Sequence, residues 1–193
     1  MKKILSLIAI LAIAGCAGIV TMDYKPSSLL SGDGDIRLGR FDYSPQGKVK
    51  VESNQVQDTL FIPIYLDQPV ADYVRKAFAL ELKFAGYNTG SPESIVMYAN
   101  VRKLESDSLS VGIDWTLEID YTFVHHGEAV YGRSIITKVH SSKVNMPFEG
   151  INKVIRMSFE KIMTDPVVKK LLKYSPGDIR MMIEEQKREE NAG

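Results

Sequence analysis

Apolar side chains occupy every odd position from residue 111 to residue 123. Val111, Ile113, Trp115, Leu117, Ile119, Tyr121 and Phe123 alternate there with Gly112, Asp114, Thr116, Glu118, Asp120 and Thr122. A period of two held over that length predicts a long strand with one buried and one wet face, the habit of an antiparallel sheet. His125-His-Gly-Glu128 turns the chain, and residues 129–141 return as its partner. On the upstream side Ile95, Met97, Ala99 and Val101 alternate along a strand expected to end near Lys103, with residues 105–108 as the connecting turn.

Two other stretches carry a helical period. Val70, Tyr73, Val74, Ala77, Phe78, Leu82 and Ala85 recur every three or four residues and predict one buried stripe, with Arg75, Lys76, Glu81 and Lys83 mostly off it. Asp67 or Gln68 is the expected cap, Pro69 suits the first turn and Gly86 the stop. Phe148, Ile151, Val154, Ile155, Phe159, Ile162 and Met163 repeat the pattern in a helix beginning near Pro147. Asp165-Pro166 interrupts it, with Asp165 capping a further short helix through Leu172. Earlier, residues 59–66 read as a strand carrying Pro63 at an edge or bulge, and residues 36–43 with 48–52 as a hairpin turning at 45–47. Two helical stripes and one apolar sheet face have to cover each other. The expected fold is therefore α+β, a two-layer sandwich with an antiparallel β-meander packed against two amphipathic helices.

The first sixteen residues follow a different logic. Lys2 and Lys3 precede an apolar run of 11 residues from Ile4, and small residues lead into the single cysteine, Cys16. That is the layout of a secretory signal, and the run is shorter than the about 20 residues of a membrane-spanning helix. Ile13-Ala14-Gly15-Cys16 resembles a bacterial lipobox, which implies cleavage before Cys16 and lipid on that residue; Ala17 after it resembles the outer-membrane default. The expected organisation is a signal peptide at 1–15, a lipidated N-terminus and tether at 16–34, one domain at 35–177 and a charged tail at 178–193. The tether carries turn chemistry in Pro26-Ser-Ser and Ser31-Gly-Asp-Gly-Asp35. Without residues 1–15 the chain has 178 residues, with 22 basic against 24 acidic side chains. That is enough for one core, and it lacks the basic excess of a nucleic-acid binder. A lone cysteine makes no intramolecular disulfide.

Candidate chemistry is thin. Asp114, Glu118 and Asp120 share the polar face of the long strand, where carboxylates suit a hard cation. No calcium-loop spacing accompanies them, so solvated acids facing basic neighbours are expected instead. His125 and His126 point to opposite sides of an extended backbone, and His140 on the returning strand is the one other histidine that could approach them. A zinc site needs three or four convergent ligands, so no metal is expected. No Gly-x-Ser-x-Gly elbow occurs, and Gly32-Asp-Gly34 lacks the rest of a phosphate loop. Tyr87, Tyr98, Trp115 and Tyr121 suit a sugar or lipid site, but Trp115 and Tyr121 have core parity. No catalytic residue, cofactor or metal ligand is assigned.

The signal ending in Cys16, the helix closing on Glu81-Leu82 and Gly86-Tyr87, the strand meander and the final amphipathic helix are similar to YajG-type bacterial lipoproteins. The same order of elements looks like the auxiliary lipoproteins of envelope transport and lipopolysaccharide assembly. The likeness covers residues 59–163 and departs at 17–58. It implies a lipid-anchored protein of the bacterial outer membrane facing the periplasm, with a helper role and no transferred catalytic residues. The expected function is a non-enzymatic accessory or assembly factor of an envelope complex, held to the membrane by Cys16 and binding an envelope protein. The alternative is a lipid- or glycan-binding envelope module.

Overall fold

A computed structural model describes residues 19–20, 23–45, 51–58, 64–92, 94–108, 112–142, 147–173, 178 and 181. Its strands are β1 (Ile19–Val20), β2 (Ile36–Tyr43), β3 (Gln55–Asp58), β4 (Ile64–Leu66), β5 (Ile95–Asp107), β6 (Gly112–His125) and β7 (Glu128–Ser142). The helices are α1 (Val70–Ala85), α2 (Pro147–Met163) and α3 (Pro166–Lys173). The expected leader, Cys16, residues 59–63 with Pro63, and nearly all of the tail lie outside the described residues. Among the described residues no helix is long and apolar enough to cross a membrane.

The fold is α+β, and its centre is the expected antiparallel meander β5–β6–β7. Trp115, Leu117, Ile119, Tyr121 and Phe123 face inward and are buried, as their alternation requires. The turn into β7 narrows to His126 and Gly127, both with positive φ (50° and 84°), the backbone hand that a tight hairpin needs. Two expectations change around this meander. β5 runs through the polar residues 105–107, because a bulge between Val101 and Lys103 shifts the inward parity to Leu104 and Ser106. Ladder pairing with β6 outweighs the weak strand propensity of Glu105 and Asp107.

Of the expected hairpin at 36–52, residues 46–50 lie outside the described residues, and the described pairing of its first strand is with a distant one. β2 instead lies parallel to β5, with Ile36 opposite Ile95 and Tyr43 opposite Val101, and β3 continues along the same edge of β5 at Gln57 and Asp58. The sheet as a whole is therefore mixed. The reason is burial: pairing with β5 puts Ile36 and Phe41 into the core. A bulge between Leu38 and Phe41 is held by Arg75 of α1, whose guanidinium donates to the carbonyls of Gly39 at 2.8 Å and Leu38 at 3.3 Å.

Both long helices cover the inward face. Phe78 of α1 meets Phe159 of α2 edge-to-face at 5.4 Å between centroids, and Phe41 of β2 at 5.6 Å. The Tyr121 hydroxyl, buried beneath, is paired with Ser158 Oγ at 2.8 Å. α1 ends at Gly86 as expected, in the left-handed region at φ 91°, with the amides of Gly86 and Tyr87 donating to Lys83 and Leu82. Its start differs. Pro69 takes the cap position without any side-chain cap, and the Val70 amide donates to the carbonyl of Ser53 at 2.8 Å. A backbone carbonyl from a distant turn thus does what Asp67 or Gln68 was expected to do. α3 is capped as expected: Asp165 Oδ1 accepts from the amides of Val167 at 2.8 Å and Val168 at 3.2 Å.

One contact sets the spacing of α2 over the sheet. A Cβ on Gly150 would stand 2.0 Å from Trp115 Nε1, so the indole lies directly on the helix backbone. Gly150→Ala should therefore destabilise by about 1–3 kcal/mol from overpacking, although helix propensity alone favours alanine by up to about 1 kcal/mol. An unfolding midpoint in urea that stayed level or rose would show that the indole has room to move.

Asp165 gives a pH-dependent counterpart. Burial opposes its charge, but the amides of Val168 and Val167, the Tyr131 hydroxyl and the Arg133 guanidinium outweigh that and hold its carboxyl below the ordinary range. A lowered folded value means the added stability is present above the unfolded aspartate pKa of about 3.9 and is lost as pH falls through the folded value. Asp165→Ala should cost about 1–2 kcal/mol at pH 7. The gap from the parent should shrink as pH falls from the unfolded aspartate value through the lower folded one. A gap of equal size at pH 7 and below the folded value would mean the charge contributes nothing.

Candidate binding surface

Among the described residues, the large side chains between helices and sheet pack on one another without exposure. Trp115, Tyr121, Phe78, Phe123 and Phe159 all lie there with essentially no exposure. Trp115 Nε1 donates to Ser141 Oγ at 3.1 Å, which gives the buried indole its polar partner. The four aromatics considered for a ligand site are not brought together. Trp115 and Tyr121 are core, Tyr98 is 40% exposed on the opposite sheet face over Gly39, and Tyr87 packs beside Gly32 at the end of α1.

The outward sheet face carries the acids singled out from sequence. Asp114 Oδ1 is 2.7 Å from His140 Nδ1, and Asp120 is 3.8 Å from Arg102. Glu118 pairs in register with Lys103 on one side and Ile136 on the other. These are acids facing basic or apolar neighbours in an open sheet face, not a convergent cage. The histidines separate too. His125 and His126 meet at the β6–β7 turn with ring centroids 4.1 Å apart, whereas His140 lies opposite Asp114 at the far end of the hairpin. Among the described residues, no group of three or more histidines, cysteines, aspartates or glutamates is placed to hold a metal.

What remains is the free side of β7. β7 ends the path of paired strands, so its outer backbone groups have no strand partner among the described residues. Beside it runs an open groove of about 430 Å³ lined by Arg133, Ser134, Ile136, Lys161, Thr164 and Asp165, among others. The walls are polar and fixed. Tyr131 and Arg133 both bond Asp165 Oδ2, and Lys161 Nζ donates to the Ile136 carbonyl at 3.0 Å. Ile136, 55% exposed, is the apolar side chain at the centre of the strip. Such an edge can accept an added strand or an extended peptide, with Ile136 as anchor and Arg133 and Lys161 for polar contacts.

The second feature is one the sequence pattern concealed. Glu81 is fully buried although it is charged. The Tyr24 hydroxyl donates to its Oε1 at 2.6 Å, and the amides of Ser27 and Ser28 donate to Oε1 at 3.2 Å and Oε2 at 3.0 Å. Burial first, and then the bond to Glu81 and its charge, push the Tyr24 phenol far above its ordinary value, so it stays a donor. Residues 23–30, inside the expected tether, thus have no regular secondary structure yet are latched onto α1. Arg156 of α2 completes the latch by donating to Ser27 Oγ at 2.8 Å. The expectation that Glu81 lies off the stripe is corrected: it stands four residues after Ala77 and four before Ala85, in line with the buried face, and only its charge argued otherwise.

No protein-family model and no curated protein sequence matches the chain. Solved structures do. XCC0632 from Xanthomonas campestris, a DUF330 protein, superposes with TM-score 0.53 at 12% identity, over 86% of this chain and 99% of that one. CT253 from Chlamydia trachomatis gives 0.45 at 8% identity over 68% and 94%. Lipoprotein GNA1162 from Neisseria meningitidis gives 0.29 at 9% identity over 68% and 99%. Of these three, the first is close enough to show a shared fold.

Proposed function

We propose that the protein is a lipoprotein of the bacterial outer membrane, anchored through Cys16 and facing the periplasm. There it serves an envelope complex as a non-enzymatic accessory or assembly factor. The anchor rests on the register of Lys2, Lys3, the apolar run and Ile13-Ala14-Gly15-Cys16. Several acyl chains on one residue, at about 0.8 kcal/mol per buried CH₂, give stable attachment. The observation that carries the accessory role is the β7 edge. A long strand with an exposed Ile136 and a polar groove at its side suits pairing with another envelope protein. Among the described residues, the close packing of Phe78, Trp115, Tyr121, Phe123 and Phe159 favours this reading over a lipid or glycan cleft beside those side chains.

Cys16→Ala should move the protein from the membrane to the soluble fraction while leaving its unfolding midpoint unchanged. Retention in the membrane pellet would show that protein contacts, not acyl chains, hold it there. For the edge, a photo-crosslinking residue at Ile136 or Lys138 should trap one partner in cells at near one-to-one stoichiometry. The same residue at Asp72, exposed on α1, should not. Crosslinks of equal yield from both faces would sink the edge as the specific site.

A further inference from the structure

Where the latched arm crosses α2 it closes a hollow of about 230 Å³, lined by Lys25, Ser27, Glu149, Asn152, Lys153 and Arg156. Three of those side chains are cationic and one is a carboxylate, in a chain whose formal charge is zero. The donors are prepared. Tyr73 donates its hydroxyl hydrogen to Asn152 Oδ1 at 2.5 Å, which leaves the Asn152 amide N–H groups as donors. Arg156 is half-buried and its Nη1 is fixed on Ser27 Oγ. Its Nε is buried with no hydrogen-bond partner among the described residues, Glu160 Oε1 lying 3.9 Å away, at ion-pair distance only. A half-buried guanidinium in the wall of a hollow that two ammonium groups also line matches a tetrahedral oxyanion.

We infer that this hollow binds a phosphate group, and that its source is the headgroup of a lipid in the layer that holds the anchor. The source rests on the anchored reading above. Lys25 follows Cys16 by nine residues, which reach at most about 30 Å when extended, so the hollow lies within one short span of the headgroups. The arm supplies Lys25 and Ser27 while the helix supplies Asn152, Lys153 and Arg156, so the site exists only while Glu81 holds the arm. Occupancy and latching are linked: a bound phosphate stabilises the docked arm. Attraction between exposed charges fades beyond about 8 Å at physiological salt, so contact with the headgroup itself is required.

The Ser27 and Ser28 amides, bonded to Glu81, report arm docking by hydrogen exchange. The full chain in maltoside micelles, which carry no phosphate, would be measured with inorganic phosphate, with dihexanoyl phosphatidylglycerol, and with chloride at matched ionic strength. At ten times the dissociation constant both amides should exchange about tenfold more slowly, because binding slows opening by a factor of 1 + [L]/Kd. Lys25→Gln with Lys153→Gln, both exposed, should abolish the slowing, read against the variant's own unliganded exchange. Slowing by the short-chain lipid, with or without inorganic phosphate, supports the headgroup. Slowing by inorganic phosphate alone keeps the site and overturns the lipid as its source. No slowing with either, or slowing that survives the double substitution, overturns the site. Inorganic phosphate reaches the hollow whether or not Cys16 is acylated, so that arm fails independently of the anchor.

Discussion

Burial of one face of β6 is the constraint from which the rest of the molecule follows. Trp115, Leu117, Ile119, Tyr121 and Phe123 lie on that face, and each large side chain of this kind is worth about 1.5–3 kcal/mol when removed from water. Neither neighbouring strand can cover it, since β5 and β7 only extend the same surface sideways. The two amphipathic helices have to lie across it, and their own stripes need it equally. Contact is close enough that the Trp115 indole rests on the backbone of α2 at Gly150. A helix-weakening glycine is accepted there because a side chain would push the two layers apart.

With that face closed, what is left for function lies at the margins of the sandwich. On one margin β7 presents its outer side and Ile136 beside a polar groove. On the other the N-terminal arm runs over α1 and α2, tied by Glu81. The buried carboxylate is compatible with the core because three donors reach it, two of them backbone amides that would otherwise lack partners. Removing the arm would leave that charge unpaired in an apolar setting, so arm and α1 stabilise each other. The arm belongs to the folded unit in the physical sense, although its residues form no helix or strand.

The period-two run of β6 and the three- and four-residue stripes of α1 and α2 fixed the elements and the two-layer class without any tertiary information. Each side chain's side is set by its own backbone repeat, and the repeat persists over a dozen residues or more. Gly86 and Asp165 were equally legible, because a left-handed stop and a side-chain cap act within three residues of themselves. The lipobox reading of Cys16 likewise rests on local order alone.

Everything that depended on a partner far along the chain was decided by packing. β2 lies parallel to β5, a pairing that buries Ile36 and Phe41 beneath distant helices and that no local pattern at 36–43 announces. The first amide of α1 is satisfied by Ser53, a carbonyl no sequence window around Pro69 contains. Glu81 reads as a surface acid until the arm, more than fifty residues upstream, brings its donors. Periodicity records which face a residue occupies; which distant segment covers that face is set by burial and hydrogen-bond satisfaction summed over the whole chain.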